Sequence, residues 1–318
     1  MRQQSFSSGT FEKYRKPTRK ECFLQEMEQV IPWAELGAVI EPHYPAPKGA
    51  GRRPKGIERM LRIYFLQHWF NLSDPGAEEA LYDSRAMREF VGIDLGQEPV
   101  PDESTILQFR HLMERHQLGE ALFHAVNAYL EEHGMKVSRG TIVDATLINA
   151  PTSTKNQDQA RDPEMHQTRK GNQWYFGMKA HMGVDSKTKL IHSVAVTAAH
   201  VHDSQVVEDL LHGEETRVWG DSAYAGQRET LREVAPRAQD FTQKKGNRHH
   251  ALSPVERDKN RTKSRVRARV EHVFHVLKRQ FKFTKVRYRG LDKNANHVFA
   301  ACALINIVMM RKRLLRCT

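Results

Sequence analysis

Thr141-Ile142-Val143-Asp144-Ala145-Thr146-Leu147-Ile148 is a short run of mostly β-branched and aliphatic residues with one carboxylate inside it. The composition and length predict a strand. Asp144 is costly among such neighbours unless it is paired or holds a cation. Downstream, Trp174 to Val184, Leu190 to Thr197 and Arg217 to Trp219 carry the same signal with Gly or Asp punctuation, and Asp185-Ser186-Lys187-Thr188-Lys189 reads as a hairpin turn. Asp203 to Leu211, Gln227 to Val234 and the longer Glu256 to Gln280 read as helices. Three strands, a helix, a strand and then further helices describe an α/β fold, a mixed sheet with flanking helices. Thr152 to Asn172 is polar, basic and unpatterned, and predicts a mobile loop.

Upstream of Gly134 the pattern is helical. Glu21 to Ile31 is followed by a Pro-rich linker, Pro42 to Pro54, with Lys48, Arg52, Arg53 and Lys55. Ile57 to Asn71 places Met60, Leu61, Tyr64, Phe65, Trp69 and Phe70 on helical spacing; Ser73-Asp74-Pro75 caps the next helix, and Asp102 caps Glu103 to His116. Leu118 to Glu132 follows. Short helices with a basic linker suit a helix-turn-helix-like DNA-binding module, a pattern that any helical bundle shares. With 318 residues the chain predicts two units, an all-α N-terminal region over 1–135 and an α/β unit over 136–318.

Composition narrows the function classes. No apolar run approaches the ~18 residues of a membrane span. Val298 to Met310 is interrupted by Asn306 and followed by Arg311, Lys312 and Arg313, as expected of a buried C-terminal helix with a basic end. Met1 to Thr10 is polar and lacks a secretory core, so a cytoplasmic, nucleoid-associated location is expected. Cys22, Cys302 and Cys317 are scattered and suggest neither a disulfide framework nor a cysteine zinc site. The net charge of +12 points to a polyanionic partner. Residues 244–289 hold 16 Lys or Arg against three acids, so this stretch accounts for the whole surplus. Interleaved Phe274, Phe281, Phe283 and Tyr288 argue against a disordered tail.

Two further acids stand out. Asp221 follows Arg217-Val218-Trp219-Gly220, at the carboxyl end of a strand, where α/β folds place ligands. Either Asp taken singly fits a cap or turn equally well. In the predicted helix, Ser264, Arg267, Glu271, His275 and Lys278 fall within about 40° of one line. Val266, Val270, Phe274, Leu277 and Phe281 form the adjoining apolar stripe that would dock on the sheet. The bland reading of Arg267 and Glu271 is an exposed i,i+4 pair. Taken together, the three acids suit magnesium, and two ions about 4 Å apart can activate an attacking oxygen and stabilise the leaving oxygen of a phosphodiester. Arg267 and Lys278 would then hold the DNA phosphates that the acids repel.

At these residues the sequence resembles bacterial insertion-sequence transposases with an Asp-Asp-Glu (DDE) triad, the insertion sequence 5 family within the insertion sequence 4 superfamily. Gly220-Asp221-Ser222-Ala223-Tyr224 matches the segment around the second acid. The third lies in a signature of Tyr, two residues, Arg, three residues, Glu, six residues, Lys; Arg267, Glu271 and Lys278 match it, and Ser264 replaces the Tyr. Ala80-Leu81-Tyr82-Asp83-Ser84, Pro101-Asp102-Glu103-Ser104-Thr105 with Phe109-Arg110, Gly177-Met178-Lys179-Ala180-His181 with Gly183-Val184-Asp185, and His202-Asp203 extend the likeness over roughly residues 50–310. The 49 residues between Asp221 and Glu271 leave no room for the large β insertion of some relatives.

The resemblance implies a ribonuclease H-like catalytic domain in which Asp144, Asp221 and Glu271 are catalytic and bind two Mg ions, with Mn able to substitute. Arg267, Lys278 and the Ser264 position would contact DNA. It further implies binding of the element's terminal inverted repeats, cleavage at its ends, joining of the 3′ ends to target DNA, and a homodimer in the DNA complex. Three rivals remain: a zinc hydrolase site at His200-Val201-His202-Asp203, although no customary zinc spacing and no second His pair except the loop residues His249-His250 support it; a non-cutting DNA-binding derivative; and a nuclease of the same fold that only hydrolyses. His202 and Asp203 are expected near the triad.

Overall fold

The computed structural model describes residues 16–46, 54–135, 137–157, 159–246 and 251–316. Lys48, Arg52, Arg53, Arg248, His249-His250 and Cys317 lie outside them, as does the Met1 to Thr10 segment.

The N-terminal region is helical: α1 (Arg19–Val30), α2 (Trp33–Ile40), α3 (Ile57–Phe70), α4 (Asp74–Asp83), α5 (Arg85–Val91), α6 (Glu103–Arg115) and α7 (Leu118–Glu132). The cap signals operate as read. Ser73 Oγ accepts from Gly76 N–H at 3.1 Å, and Asp102 Oδ1 accepts from Thr105 N–H at 2.8 Å. α3 ends at Asn71, which takes the left-handed conformation (φ 57°) that Asn tolerates.

The sheet contains β1 (Gly140–Asn149), β2 (His166–Lys170), β3 (Gln173–Asp185), β4 (Ile191–Ala198), β5 (Arg217–Trp219) and β6 (Gln239–Asp240). Its order is β2-β3-β1-β5-β6, with β4 also paired to β3. β1 runs antiparallel to β3 and parallel to β5, so the sheet is mixed. β1 is buried on both faces. Ile142 and Ile148 join the main core, and Val143 joins a second cluster with Val207, Leu210, Val218 and Tyr224. A strand covered on both sides reads as a near-continuous apolar run, as residues 141–148 do. Gly177 marks the point where β3 exchanges β2 for β4 as its neighbour; its φ is 155°, and a Cβ there would lie 2.1 Å from Ile148 O.

After β5 come α8 (Arg228–Val234), α9 (Pro254–Arg267), α10 (Val270–His275), a π-helical turn over Val276–Gln280 and α11 (Leu291–Leu314). α11 is the buried C-terminal helix with a basic end that the sequence predicts, and Asn306, which interrupts its apolar run, lies within it. The amide of Asn306 accepts from Ile191 N–H at 2.9 Å and donates to Ile191 O at 2.7 Å, so it completes the backbone pairing at the start of β4. α11 packs on α7 and β4, and one buried cluster holds Leu24, Phe65 and Leu122 with Ile142, Leu277 and Leu304. The N-terminal helices and the sheet therefore share a core through α11. No helix of the described residues is long and apolar enough to cross a membrane.

Three segments differ from the sequence reading. Within 152–172, His166–Lys170 forms β2, closed onto β3 by a Gly171-Asn172 turn with Gly171 at φ 61°. Four of its five residues are exposed and one is partly buried, so the alternation that flags a strand is missing. Asp203 to Leu211 forms two 3₁₀ turns, Asp203–Val206 and Glu208–Leu210, instead of an α-helix. The Glu256 to Gln280 helix is broken at Ala268-Arg269. α9 buries none of its residues, whereas Val270, Val273 and Phe274 of α10 dock into the core. The chain turns where solvent-facing helix gives way to docked helix, and the Arg269 guanidinium donates to Ser186 O at the junction.

Candidate active site

β1, the turn after β5, and α10 bring Asp144, Asp221 and Glu271 to one cleft of about 680 Å³. Asp144 is 8 % exposed in the middle of β1, with Oδ1 accepting its neighbour Ala145's N–H at 2.9 Å. Asp221 caps the 3₁₀ turn Ser222–Tyr224 through a 2.8 Å bond from Ala223 N–H to Oδ1. This is the cap role that a lone Asp suggests, and the side chain still lines the cleft. Glu271, in the first turn of α10, is exposed and lines the same space.

The electrostatics tie the three together. Burial pushes the Asp144 carboxyl up to about 6; Arg267 works against that shift, and the charges of Asp221 and Glu271 reinforce it. Arg267, the last residue of α9, donates from Nη1 to Asp144 Oδ2 at 2.8 Å, while its buried Nε has no partner. Lys278 lines the cleft from the π turn, its ammonium shifted down by burial and by Lys170 and held up by Glu271. π turns concentrate at functional sites because they re-aim side chains within a helix. Ser264 is placed differently. It accepts from Gln243 Nε2 at 2.5 Å and is not among the residues that line the cleft.

Several lining residues were not legible as site residues. Thr168, Arg169 and Lys170 come from β2, the segment read as a loop. Lys179 lies within a family-like stretch; its Nζ donates to Asp203 Oδ1 at 2.8 Å and to Val201 O at 2.7 Å. Of the two residues expected near the triad, Asp203 lies at the cleft, engaged by Lys179, whereas His202 is not among the residues that line it. Tyr224 is buried with its hydroxyl unpartnered, and burial together with the charges of Asp203, Asp144 and Asp221 pushes it up.

The chemistry of this donor set fits hard divalent cations: three carboxylates face one space, and one is buried at a cost that a cation would offset. The zinc arrangement at residues 200–203 does not assemble. The His200 ring lies tilted against His166 with centroids 4.1 Å apart, and the His202 ring contacts Ser204 Oγ. Among the described residues, the group of His, Cys, Asp or Glu whose donor atoms all lie within 4.8 Å of one another is His192, His212 and Glu215, from three separated positions. Its atoms are occupied by hydrogen bonds. Glu215 Oε1 accepts from Thr141 Oγ1 and His212 N–H, and His192 contacts Thr141 and Ser193. Asp144, Asp221 and Glu271 do not form such a group within 4.8 Å, and Arg267 bonds Asp144.

A family model described as a transposase DDE domain matches residues 136–307. A second, described as a transposase domain (DUF772), matches residues 12–112. Among solved structures, the chain is similar to a piggyBac transposase synaptic complex with hairpin DNA, at 10 % identity and a TM-score of 0.46, over 96 % of this chain and 78 % of that one.

Proposed function

The chain belongs to the transposase DDE-domain family, and from that premise we propose that Asp144, Asp221 and Glu271 are the catalytic, metal-binding carboxylates of a DNA transposase. The observation that carries this reading is their arrival, from positions far apart in sequence, in one cleft beside Arg267, Lys278 and Lys170. Mg ions, or Mn in their place, held as a pair by the three carboxylates would supply Lewis-acid activation of the attacking oxygen and stabilisation of the leaving one. The protein's own contribution is positional and electrostatic. Arg267 holds Asp144 ionised against burial, and Lys278, Arg169 and Lys170 offer cations to the DNA phosphates that three acids would otherwise repel.

The substrate proposed is the pair of terminal inverted repeats of an insertion sequence, bound by a homodimer, with cleavage at the ends and transfer of the 3′ hydroxyls to target DNA. The N-terminal helices, 1–135, are assigned to end binding and 136–318 to a ribonuclease H-like catalytic unit; the mixed sheet and the two matched segments support this division. The shared α11 core would couple the two. The test supplies the chain and Mg with element ends that already carry free 3′ hydroxyls. Joining to a target duplex is the expected result; hydrolysis alone would make the protein a nuclease of the same fold.

A further inference from the structure

A second concave surface, of about 390 Å³, lies at the start of β1, before the triad's Asp144 in the middle of the strand, and is framed by Ser138, Arg139, Lys187, Arg217 and Arg269. Four of these five residues are cations, and no carboxylate lines the surface. Among the described residues, Arg139, Lys187 and Arg217 enter no ion pair, while Arg269 donates to Ser186 O. Two acids behind the surface are held by backbone N–H groups and do not bond its cations. Asp185 accepts the N–H groups of Ser138, Lys187 and Thr188, and Glu215 accepts those of His212 and Gly213. Ser138 Oγ is closed off from solvent without a hydrogen-bond partner.

Four converging positive charges outnumber the one buried carboxylate, Asp185, that bonds the backbone behind them, and proteins ordinarily relieve such an excess with a further acid or with a bound anion. From these observations we infer that this surface is a second anchoring site for a backbone phosphate of the DNA. The inference rests on the DNA reading above and adds a contact outside the cleft. Gly140 and Asp144 are four residues apart on β1, about 13 Å at strand rise. A duplex lying along β1 would present there a phosphate roughly four nucleotides from the one at the triad, at about 3.4 Å of rise per nucleotide. The junction of α9 and α10 links the sites directly: Arg267 faces Asp144 on one side, and Arg269 faces the second surface on the other. DNA seated at both would be held in register across the cut.

The experiment measures binding of a duplex of random sequence to the full chain, in EDTA, as salt is raised. Phosphate contacts are independent of sequence, so the element ends are not needed. The Arg139→Gln/Arg217→Gln variant should lose about two units from the slope of log affinity against log salt. Lys312→Gln/Arg313→Gln, with the same charge change at the exposed end of α11, should leave the slope near that of the unmodified chain. On a separate duplex carrying an element end, which fixes the register, a neutral methylphosphonate about four nucleotides from the cleavage position should weaken binding to the unmodified chain and leave the Arg139/Arg217 variant indifferent. Equal slopes for the two variants would overturn the proposal. A chain that binds no duplex at all would overturn the DNA reading itself. If inorganic phosphate then still raised the melting temperature of the unmodified chain but not of the Arg139/Arg217 variant, the pocket would be a free-phosphate site and the DNA occupant would be wrong.

Discussion

Arg267 Nη1 lies 2.8 Å from Asp144 Oδ2, joining the end of α9 to the middle of β1 across 123 residues of sequence. The pair explains how a carboxylate can be buried within an apolar strand. It also places a cation at the point where the acids would repel DNA. Arg267→Ala should drive the Asp144 carboxyl above about 6, because the opposing charge is lost while burial remains. NMR titration of Asp144 would follow the shift; an unchanged titration would detach Arg267 from the carboxylate's electrostatics.

Among the described residues, Lys278 enters no salt bridge, and it lines the cleft with Glu271 nearby. Lys278→Ala should weaken binding uniformly across DNA sequences and reduce the salt slope by about one. An unaltered slope would remove Lys278 from the DNA path.

Asp144 itself should cost stability when no metal is bound. Its folded-state carboxyl titrates at about 6 against an ordinary 3.8, so between those values the native state retains a proton that the unfolded chain has released. Stability from this group is fully present below about pH 4 and is lost as pH rises through 6. In EDTA at pH 7, Asp144→Asn should therefore be more stable than the unmodified chain by up to ~3 kcal/mol, the Arg267 pairing being already contained in the shift. The advantage should vanish near pH 4. Denaturant melts across that range would show it, and a variant less stable at pH 7 would contradict the assignment.

Acid should also loosen the helical region. His68 and His297 are buried and stacked at 4.1 Å, and neither His68 nitrogen has a partner. Burial pulls His68 down to about 3 and His297 well below its ordinary value. Below about pH 6.5 the unfolded chain takes up protons that the folded chain refuses, so stability falls with pH by up to ~1.4 kcal/mol per unit for each histidine. His68→Phe keeps a ring in place and should remove about half of that slope.

Arg110 belongs to a family-like stretch yet works structurally. It is 9 % exposed, bonds Asp74 at 2.9 Å and Glu114 as well, and lies 4.5 Å over the Tyr288 ring. Arg110→Ala should cost about 3–5 kcal/mol by stranding the partly buried carboxylates of Asp74 and Glu114. Denaturant midpoints measure this; a cost under ~1 kcal/mol would mean that the network is solvated.

Much of this architecture was legible because local rules and tertiary demands agree. The Ser73 and Asp102 caps, the 185–189 turn and the doubly buried β1 follow from side-chain chemistry that needs no distant partner. β2 was not legible, since a polar edge strand carries no alternation; its one cue was the Gly171-Asn172 turn, a two-residue hairpin signal. The break at Ala268-Arg269 depends on what α10 docks against, which spacing within one helix does not reveal. At the site, the joint position of Asp144, Asp221 and Glu271 was anticipated through resemblance. The Arg267 pairing with Asp144 and the Gln243 partner of Ser264 arise from tertiary contacts alone. The same holds for the His192, His212 and Glu215 group, whose members share no motif.

The central claim is tested most directly at Glu271, which is exposed and can be changed without disturbing the core. Glu271→Gln removes one negative charge from the cleft and keeps the shape of the side chain. With element-end DNA at saturating protein and Mg present, the predicted result is loss of strand cleavage with end binding and melting temperature essentially retained. Cleavage at the unmodified rate would contradict the assignment of the triad.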